Sequence, residues 1–245
     1  MIKFTVEETD IETGFIRKCL NQNVRLDGRS VTDYNEVNIT LSRQEKSSYA
    51  EVLLGQTRVL TVVKGIVCQP YTDRPSDGIL QINVDVSLYS NKSTSSASHL
   101  DISRYLERSI RDSEAIDLES LCIKAGEQVW CIICDVKLLD YQGCAIDACM
   151  LSAIAALRSY RRSDVSIEGG KSFFHHSDDR EPLPLALHHT PLAVTLGLFK
   201  LTAADGKTEV SHSHMYFNAE VFFSLHRLYM YISCIYVYVL YRVIS

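Results

Sequence analysis

The chain has 245 residues, 46% hydrophobic and 22% charged, with 11 Gly and 5 Pro, which excludes disorder and collagen-like structure and leaves room for one large domain or two small ones. Folding at this length buries roughly 70–75% of the surface the unfolded chain exposes, so a core needs no disulfide staples and the eight Cys need another explanation. Thirty acids against 25 bases give a net charge of −5. That balance argues against a stand-alone nucleic-acid binder, so any such contact would be a local basic stripe or a site completed by another subunit.

The opening stretch, Met1–Asp10, is acidic and lacks a long apolar run, so it reads neither as a secretory signal nor as an Arg-rich transit peptide. A reducing compartment is expected. There the thiols serve as small buried hydrophobes, and Asn38-Ile-Thr40 and Asn91-Lys-Ser93 are expected to stay unglycosylated. From Asp10 to Leu20 the apolar residues Ile11, Phe15, Ile16, Cys19 and Leu20 recur at helical spacing, with Arg17 and Lys18 placed to complement the helix dipole.

After the turn Arg25-Leu-Asp-Gly-Arg29 come β-type runs at Tyr34–Leu41, Tyr49–Leu54 and Arg58–Val67, punctuated by Gly55 and Gly65, which read as a meander. Gly78–Leu88 alternates Ile82, Val84, Val86 and Leu88 with Gln81, Asn83, Asp85 and Ser87, giving one buried and one wet face. A Ser-rich break, Ser90–Ser98, precedes a helix expected over about residues 99–113, its start marked by the capping-box spacing of Ser98 and Asp101. Strands are then predicted at Asp117–Ile123 and Glu127–Leu139; in the second, Ile132, Cys134, Val136 and Leu138 face one way and Asp135 and Lys137 the other.

Asp140-Tyr-Gln-Gly143 is a turn, and Ala145–Arg158 is apolar nearly all round and rich in small residues, as expected of a helix buried against a sheet. Short strands at Val165–Glu168 and Lys171–Phe174, the Pro-bearing linker Glu181–Pro184 and a strand at Leu192–Leu198 complete a mixed α/β or α+β order. In the Tyr-rich tail, Leu228–Tyr241 is an uncharged run of 14 bracketed by Arg227 and Arg242. That is short of the about 20 residues a membrane-spanning helix needs, and an aggregation-prone β-segment fits it better.

The candidate chemistry is sparse. On a strand Cys131 and Cys134 point to opposite faces roughly 10 Å apart, so one metal ion cannot use both. The pairs His175-His176 and His188-His189, and His212-Ser-His214, diverge in the same way and lack an accompanying carboxylate motif. No metal site and no cofactor are expected. Neither a Gly-x-Ser-x-Gly elbow nor a phosphate-cradling Gly-x-x-x-x-Gly-Lys is present.

The helix at 99–113 is different. Arg104, Arg108 and Arg111 fall at i, i+4 and i+7, with Ile102, Leu106 and Ile110 on the opposite side. Such a stripe of guanidinium forks suits RNA backbone or free phosphate. The competing reading is a solvated face with Glu107–Arg111 and Arg108–Asp112 pairs, worth about a few tenths of a kcal/mol each.

Several motifs occur in a fixed order: Arg25-Leu-Asp-Gly-Arg29, Leu54-Gly-Gln-Thr-Arg58-Val, Gln69-Pro-Tyr-Thr-Asp-Arg74-Pro and Asp77-Gly, then Leu106-Glu-Arg-Ser-Ile-Arg111 and Ile116-Asp-Leu-Glu-Ser-Leu-Cys122. Ala125-Gly-Glu-Gln-Val-Trp130, Ser159-Tyr-Arg-Arg162-Ser-Asp-Val, Arg180-Glu-Pro-Leu-Pro184 and His188-His189-Thr-Pro191 follow. Together they resemble the RNase PH family, and within it the RNase PH-like ring subunits of the eukaryotic RNA exosome, from about residue 10 to about 199. The resemblance implies an α+β, ribosomal-protein-like β-α-β-α fold, used twice in a full family member. It implies assembly with other RNase PH-like ring subunits and cap subunits around RNA, with no membrane partner, in the nucleus, nucleolus and cytoplasm.

The resemblance also implies that active relatives bind phosphate with Arg residues, one of them matched here by Arg108, and cleave RNA by phosphorolysis with an acid from the second half. This chain departs from that pattern. Where active members carry a Pro- and Arg-rich loop it has Lys92–Ser98, and after Phe199 no family motif is found, so residues 1–199 are expected to form the domain and 200–245 a diverged tail. A retained intron, a frameshift or a wrong gene model would produce such a tail. The expectation is therefore a non-catalytic ring subunit with no catalytic residue of its own, RNA-facing Arg104, Arg108 and Arg111, and no cofactor. The alternatives are a phosphate-dependent 3′-to-5′ exoribonuclease and a membrane-associated protein held by its tail.

Overall fold

The computed structural model describes residues 33–86 and 102–199 without interruption, scattered positions between 15 and 30, and short strands beyond 200. The Ser90–Ser98 break, the Ser98–Asp101 cap and His212 and His214 lie outside the described residues. Two compact units can be distinguished, the larger built mainly from Glu36–Ala193.

Its frame is a six-stranded sheet in the order β1 (Val37–Gln44), β2 (Ser47–Leu54), β3 (Thr57–Cys68), β6 (Gln128–Asp140), β4 (Ile79–Asp85), with β5 (Cys122–Lys124) added along β6. Strands β1 (Val37–Gln44), β2 (Ser47–Leu54) and β3 (Thr57–Cys68) form the expected antiparallel meander. The Gly55-Gln56 turn takes φ 61° at Gly55, a value that L side chains rarely adopt and that a two-residue hairpin needs. Gly65 does not end a strand. It lies inside β3, opposite Ile132 of β6, and a Cβ there would collide with the hydroxyl of Tyr160 and crowd the Trp130 ring.

β4 (Ile79–Asp85) runs parallel to β6 (Gln128–Asp140), and β3 runs antiparallel to it. Alternation holds along both flanks: Leu80, Ile82 and Val84 are buried, as are Ile132, Cys134, Val136 and Leu138. The following helix, α2 (Ala145–Ser159), buries every residue from Ile146 to Leu157 and packs on β1, β2, β3 and β6. Small side chains bring it close enough for Ser48 Oγ to donate to Ala156 O at 2.8 Å, and Ser152 Oγ sits 3.0 Å from Ala50 O and 2.7 Å from Thr61 Oγ1. Buried hydroxyls are thereby satisfied rather than stranded.

The helix expected over 99–113 is described from residue 102: α1 spans 102–107 and continues as a π-type turn, Arg108–Asp112. Asp117–Ile123 is not one strand. Asp117 Oδ1 accepts from the backbone N–H of Glu119 (3.1 Å) and of Ser120 (3.3 Å), which turns the chain into a 3-10 helix, Glu119–Leu121, leaving only Cys122–Lys124 as β5. The hairpin β8 (Val165–Glu168) and β9 (Lys171–Phe174) matches the sequence reading, and β7 (Arg161–Arg162) pairs with Leu183–Pro184 (β10) inside the supposed linker.

In the other unit, the Arg25–Arg29 turn closes through Arg25 N→Arg29 O at 2.9 Å, beside a bridge between Val24 and Ser30. Of the helix expected at Asp10–Leu20, Phe15, Lys18 and Cys19 are described and helical. Phe15 is exposed rather than on a buried face. The strand β11 (Leu192–Phe199) pairs with β14 (Val237–Ile244), which takes in the end of the uncharged tail run, and Leu201–Thr202 pairs with Thr208–Glu209 as β12 and β13. Among the described residues no helix is long and apolar enough to cross a membrane.

Gly65→Ala is expected to destabilise the fold by about 1–3 kcal/mol through overpacking. The double variant Gly65→Ala/Tyr160→Phe should recover part of that loss in urea denaturation, because it removes the hydroxyl that the new methyl meets.

Candidate nucleic-acid interface

The Arg-bearing helix is amphipathic as its spacing requires: Ile102, Leu106 and Ile110 are buried, and Arg104, Arg108 and Arg111 are exposed. Arg104 and Arg108 form no ion pair among the described residues. Arg111 lies 4.0 Å from carboxylate oxygens of both Glu107 and Asp112, so of the two pairs weighed from sequence Glu107–Arg111 is present, and Asp112 is approached by Arg111 instead of Arg108. The wider π-type turn starts at Arg108 and changes the phase at which Arg111 leaves the helix relative to an α-helical i+7 position. Two guanidinium groups are thus left for a ligand, with a third beside two acids.

A defined cap ends this helix. Glu114 N–H donates to Arg111 O (3.0 Å) and Ala115 N–H to Ile110 O (3.1 Å), with Glu114 at φ 56°; this is the Schellman arrangement, usually built on Gly. Ile110 and Ala115, both fully buried, supply its apolar contact. The Ser109 carbonyl is taken up by a side chain, Ser113 Oγ at 2.6 Å, and Ser113 Oγ in turn lies 3.1 Å from Nε2 of His189. The chain around His189 is zipped to the residues that follow the helix: Ile116 bridges Leu187, His188 N–H donates to Ala115 O, and Asp117 N–H donates to Ala186 O, each at 3.0 Å.

The neighbouring histidines diverge as expected. His189 is 8% exposed and His188 is exposed; burial, then the neighbouring His188, lowers the His189 pKa from its ordinary value. His175 Nε2 sits 2.9 Å from Ser166 Oγ, and His176 bridges Glu45 (2.7 Å) and Asp178 (3.3 Å). Burial pushes the thiols of Cys131, Cys134 and Cys149 up to about 11, 12 and 12, with Cys68 adding to the effect at Cys131 and nearby Asp residues at the other two. These are inert buried thiols. Among the described residues no three His, Cys, Asp or Glu side chains converge on a metal site.

RNase PH, the 3′ exoribonuclease family, domain 1, matches residues 9–163. The chain belongs to this family. Exosome complex component RRP45A of Arabidopsis thaliana is 38% identical to this RNase PH-family chain over 195 residues, covering 77% of this chain and 63% of that protein. Exosome complex component RRP45 of Saccharomyces cerevisiae is 34% identical over 199 residues (79% and 65%), and that of Homo sapiens 35% over 196 (78% and 44%). The chain therefore spans between 44% and 65% of the length of these relatives. Among solved structures, an archaeal exosome core aligns with a TM-score of 0.55 at 31% identity, covering 72% of this chain and 66% of that one. An Archaeoglobus fulgidus exosome with RNA bound to the active site aligns with a TM-score of 0.57 at 30% identity, covering 72% and 68%. The α+β RNase PH fold and the exosome branch read from the motifs agree with these findings.

Two outcomes test the cap. Glu114→Gly, which relieves a left-handed backbone carrying a Cβ, should stabilise the protein by about 1 kcal/mol in chemical denaturation. Because the folded pKa of His189 lies below the ordinary 6.5, the unfolded chain takes up a proton first, so stability falls as pH drops from about 6.5 through the lowered folded value. The urea midpoint should decline less over that window in His189→Gln than in the unsubstituted protein.

Proposed function

We propose that this RNase PH-family chain is a non-catalytic ring subunit of an RNA exosome, serving 3′-to-5′ RNA processing and degradation, including rRNA maturation and mRNA decay. The observation that carries the reading is the pair Arg104 and Arg108, exposed and without ion-pair partners among the described residues, on a helix whose other side is buried. A single-stranded RNA backbone is the ligand that such forks fit, and the net charge of −5 makes a local contact within an assembly the fitting setting. Other RNase PH-like ring subunits, cap subunits and RNA are the proposed partners, and nucleus, nucleolus and cytoplasm the proposed locations. Arg111 belongs to the same surface, its charge shared with Glu107 and Asp112.

The domain proposed for this role covers residues 1–199, with 200–245 as a diverged tail; the family match to residues 9–163 falls inside that domain. Phosphate-dependent exonuclease activity is the second reading, favoured by the family's own description. Against it stands the sequence: Lys92–Ser98 in place of an Arg-bearing loop, and no matching acid or phosphate loop after Phe199. Release of nucleoside diphosphates from RNA in phosphate buffer by the purified chain would decide for the enzyme; no release is expected.

Arg104→Glu/Arg108→Glu should weaken RNA protection by the assembled ring and flatten its salt dependence by about 1.4 in log–log slope, two phosphate contacts at about 0.7 each. Folding should survive, since neither side chain is buried. Unchanged protection and slope would return the stripe to a merely solvated face.

A further inference from the structure

The chain of contacts ending at Ser109 fixes its own proton positions. Ser113 Oγ has one proton, and the Ser109 carbonyl 2.6 Å away can only accept. Ser113 Oγ must therefore accept from its other neighbour, which requires a proton on Nε2 of His189, 3.1 Å away. The order of donation is His189 Nε2–H to Ser113 Oγ–H to Ser109 O. The receiving carbonyl belongs to the turn that carries Arg108 and Arg111, one of the last carbonyls of the helix and one that the Schellman bonds do not reach.

We propose that His189 is a positioning residue for the RNA-facing arginines, acting through Ser113 to hold the wide last turn of the helix and with it the direction in which Arg108 leaves the surface. The inference rests on the RNA reading given above and adds to it a residue nearly 80 positions away in sequence. His189 is suited to the task because its backbone is already anchored: residues 186–188 pair with 115–117 directly behind the helix end. Burial keeps the imidazole neutral near pH 7, so one nitrogen carries the proton and the other does not. Loss of the imidazole leaves the Ser113 hydroxyl free to rotate away from the Ser109 carbonyl, and the turn frays towards solvent with its arginines.

The test uses the full chain assembled in its ring and a fluorescein-labelled oligoadenylate, read by anisotropy. His189→Ala and Ser113→Ala should each weaken binding roughly fivefold, the lower end of ordinary coupling between sites, and the double variant should be no worse than either one. His189→Gln, whose amide N–H can take the place of Nε2–H, should restore most of the affinity. In the Arg104→Glu/Arg108→Glu background, His189→Ala should have no further effect.

Wild-type-like binding by His189→Ala, with loss of binding by the arginine variant, overturns the positioning role and leaves the RNA reading standing. No loss of binding in the arginine variant overturns the RNA reading itself. Long-range ¹H–¹⁵N spectra of the unsubstituted protein give a check that no folding defect can blur: Nε2 of His189 should show the protonated, pyrrole-like shift at neutral pH, and a pyridine-like Nε2 contradicts the donation order.

Discussion

Strand β6 is hydrogen-bonded to β3 on one side and β4 on the other, and the rest of the larger unit depends on that double pairing. Its first half is buried on both faces: Val129, Trp130, Cys131 and Ile132 are all buried, so the strand reads as a continuous apolar run where a surface strand would alternate. The meander then has a fixed register, α2 has a floor of Val59, Val63 and Cys134 to cover, and the parallel β4 is held along the other edge of β6. Interior hydroxyls from Ser48, Ser152 and Thr61 tie helix to sheet where small side chains permit close approach. On the polar face, burial alone would raise the pKa of Asp135, but its hydrogen bond from Asn83 and the nearby Lys64 hold the carboxyl below the usual range, so that face is wired by charge rather than covered by apolar packing.

The arginine helix turns Arg104 and Arg108 outward because its other face has no choice. Ile102, Leu106 and Ile110 are committed to the interior, which aims Arg104 and Arg108 outward whatever they bind. The direction of the last turn is then set by capping, where Glu114 accepts a strained backbone and the segment around His189 supports the carbonyls. On the RNA reading proposed above, such an arrangement carries the arginines on a rigid element supported from a distant part of the chain, which a loop-borne arginine could not match.

Much of this was legible in the residues. Period-two alternation located β4 and β6, the short strands read at Val165–Glu168 and Lys171–Phe174 are the β8–β9 hairpin, and small apolar residues marked α2 as buried. The misreadings share a physical cause, local side-chain chemistry overriding apolar pattern. Asp117 drew two backbone N–H groups into a turn and broke a strand that its Ile and Leu residues had promised. Gly65 serves close packing against Tyr160 inside a strand rather than punctuation, whereas the helix end near residue 113 was read correctly although Glu114, not a Gly, takes the left-handed cap. The divergence of His188 and His189 was expected, but spacing cannot express that the buried member lies 3.1 Å from the hydroxyl of a serine 76 residues earlier.

The central claim, that this chain works as a scaffold beside related subunits, is tested most directly by affinity purification of the endogenous protein followed by mass spectrometry. RNase PH-like ring subunits and RNA-binding cap subunits are expected to be recovered with it in comparable amounts. Recovery of the chain by itself, or in association with an unrelated set of proteins, would contradict it.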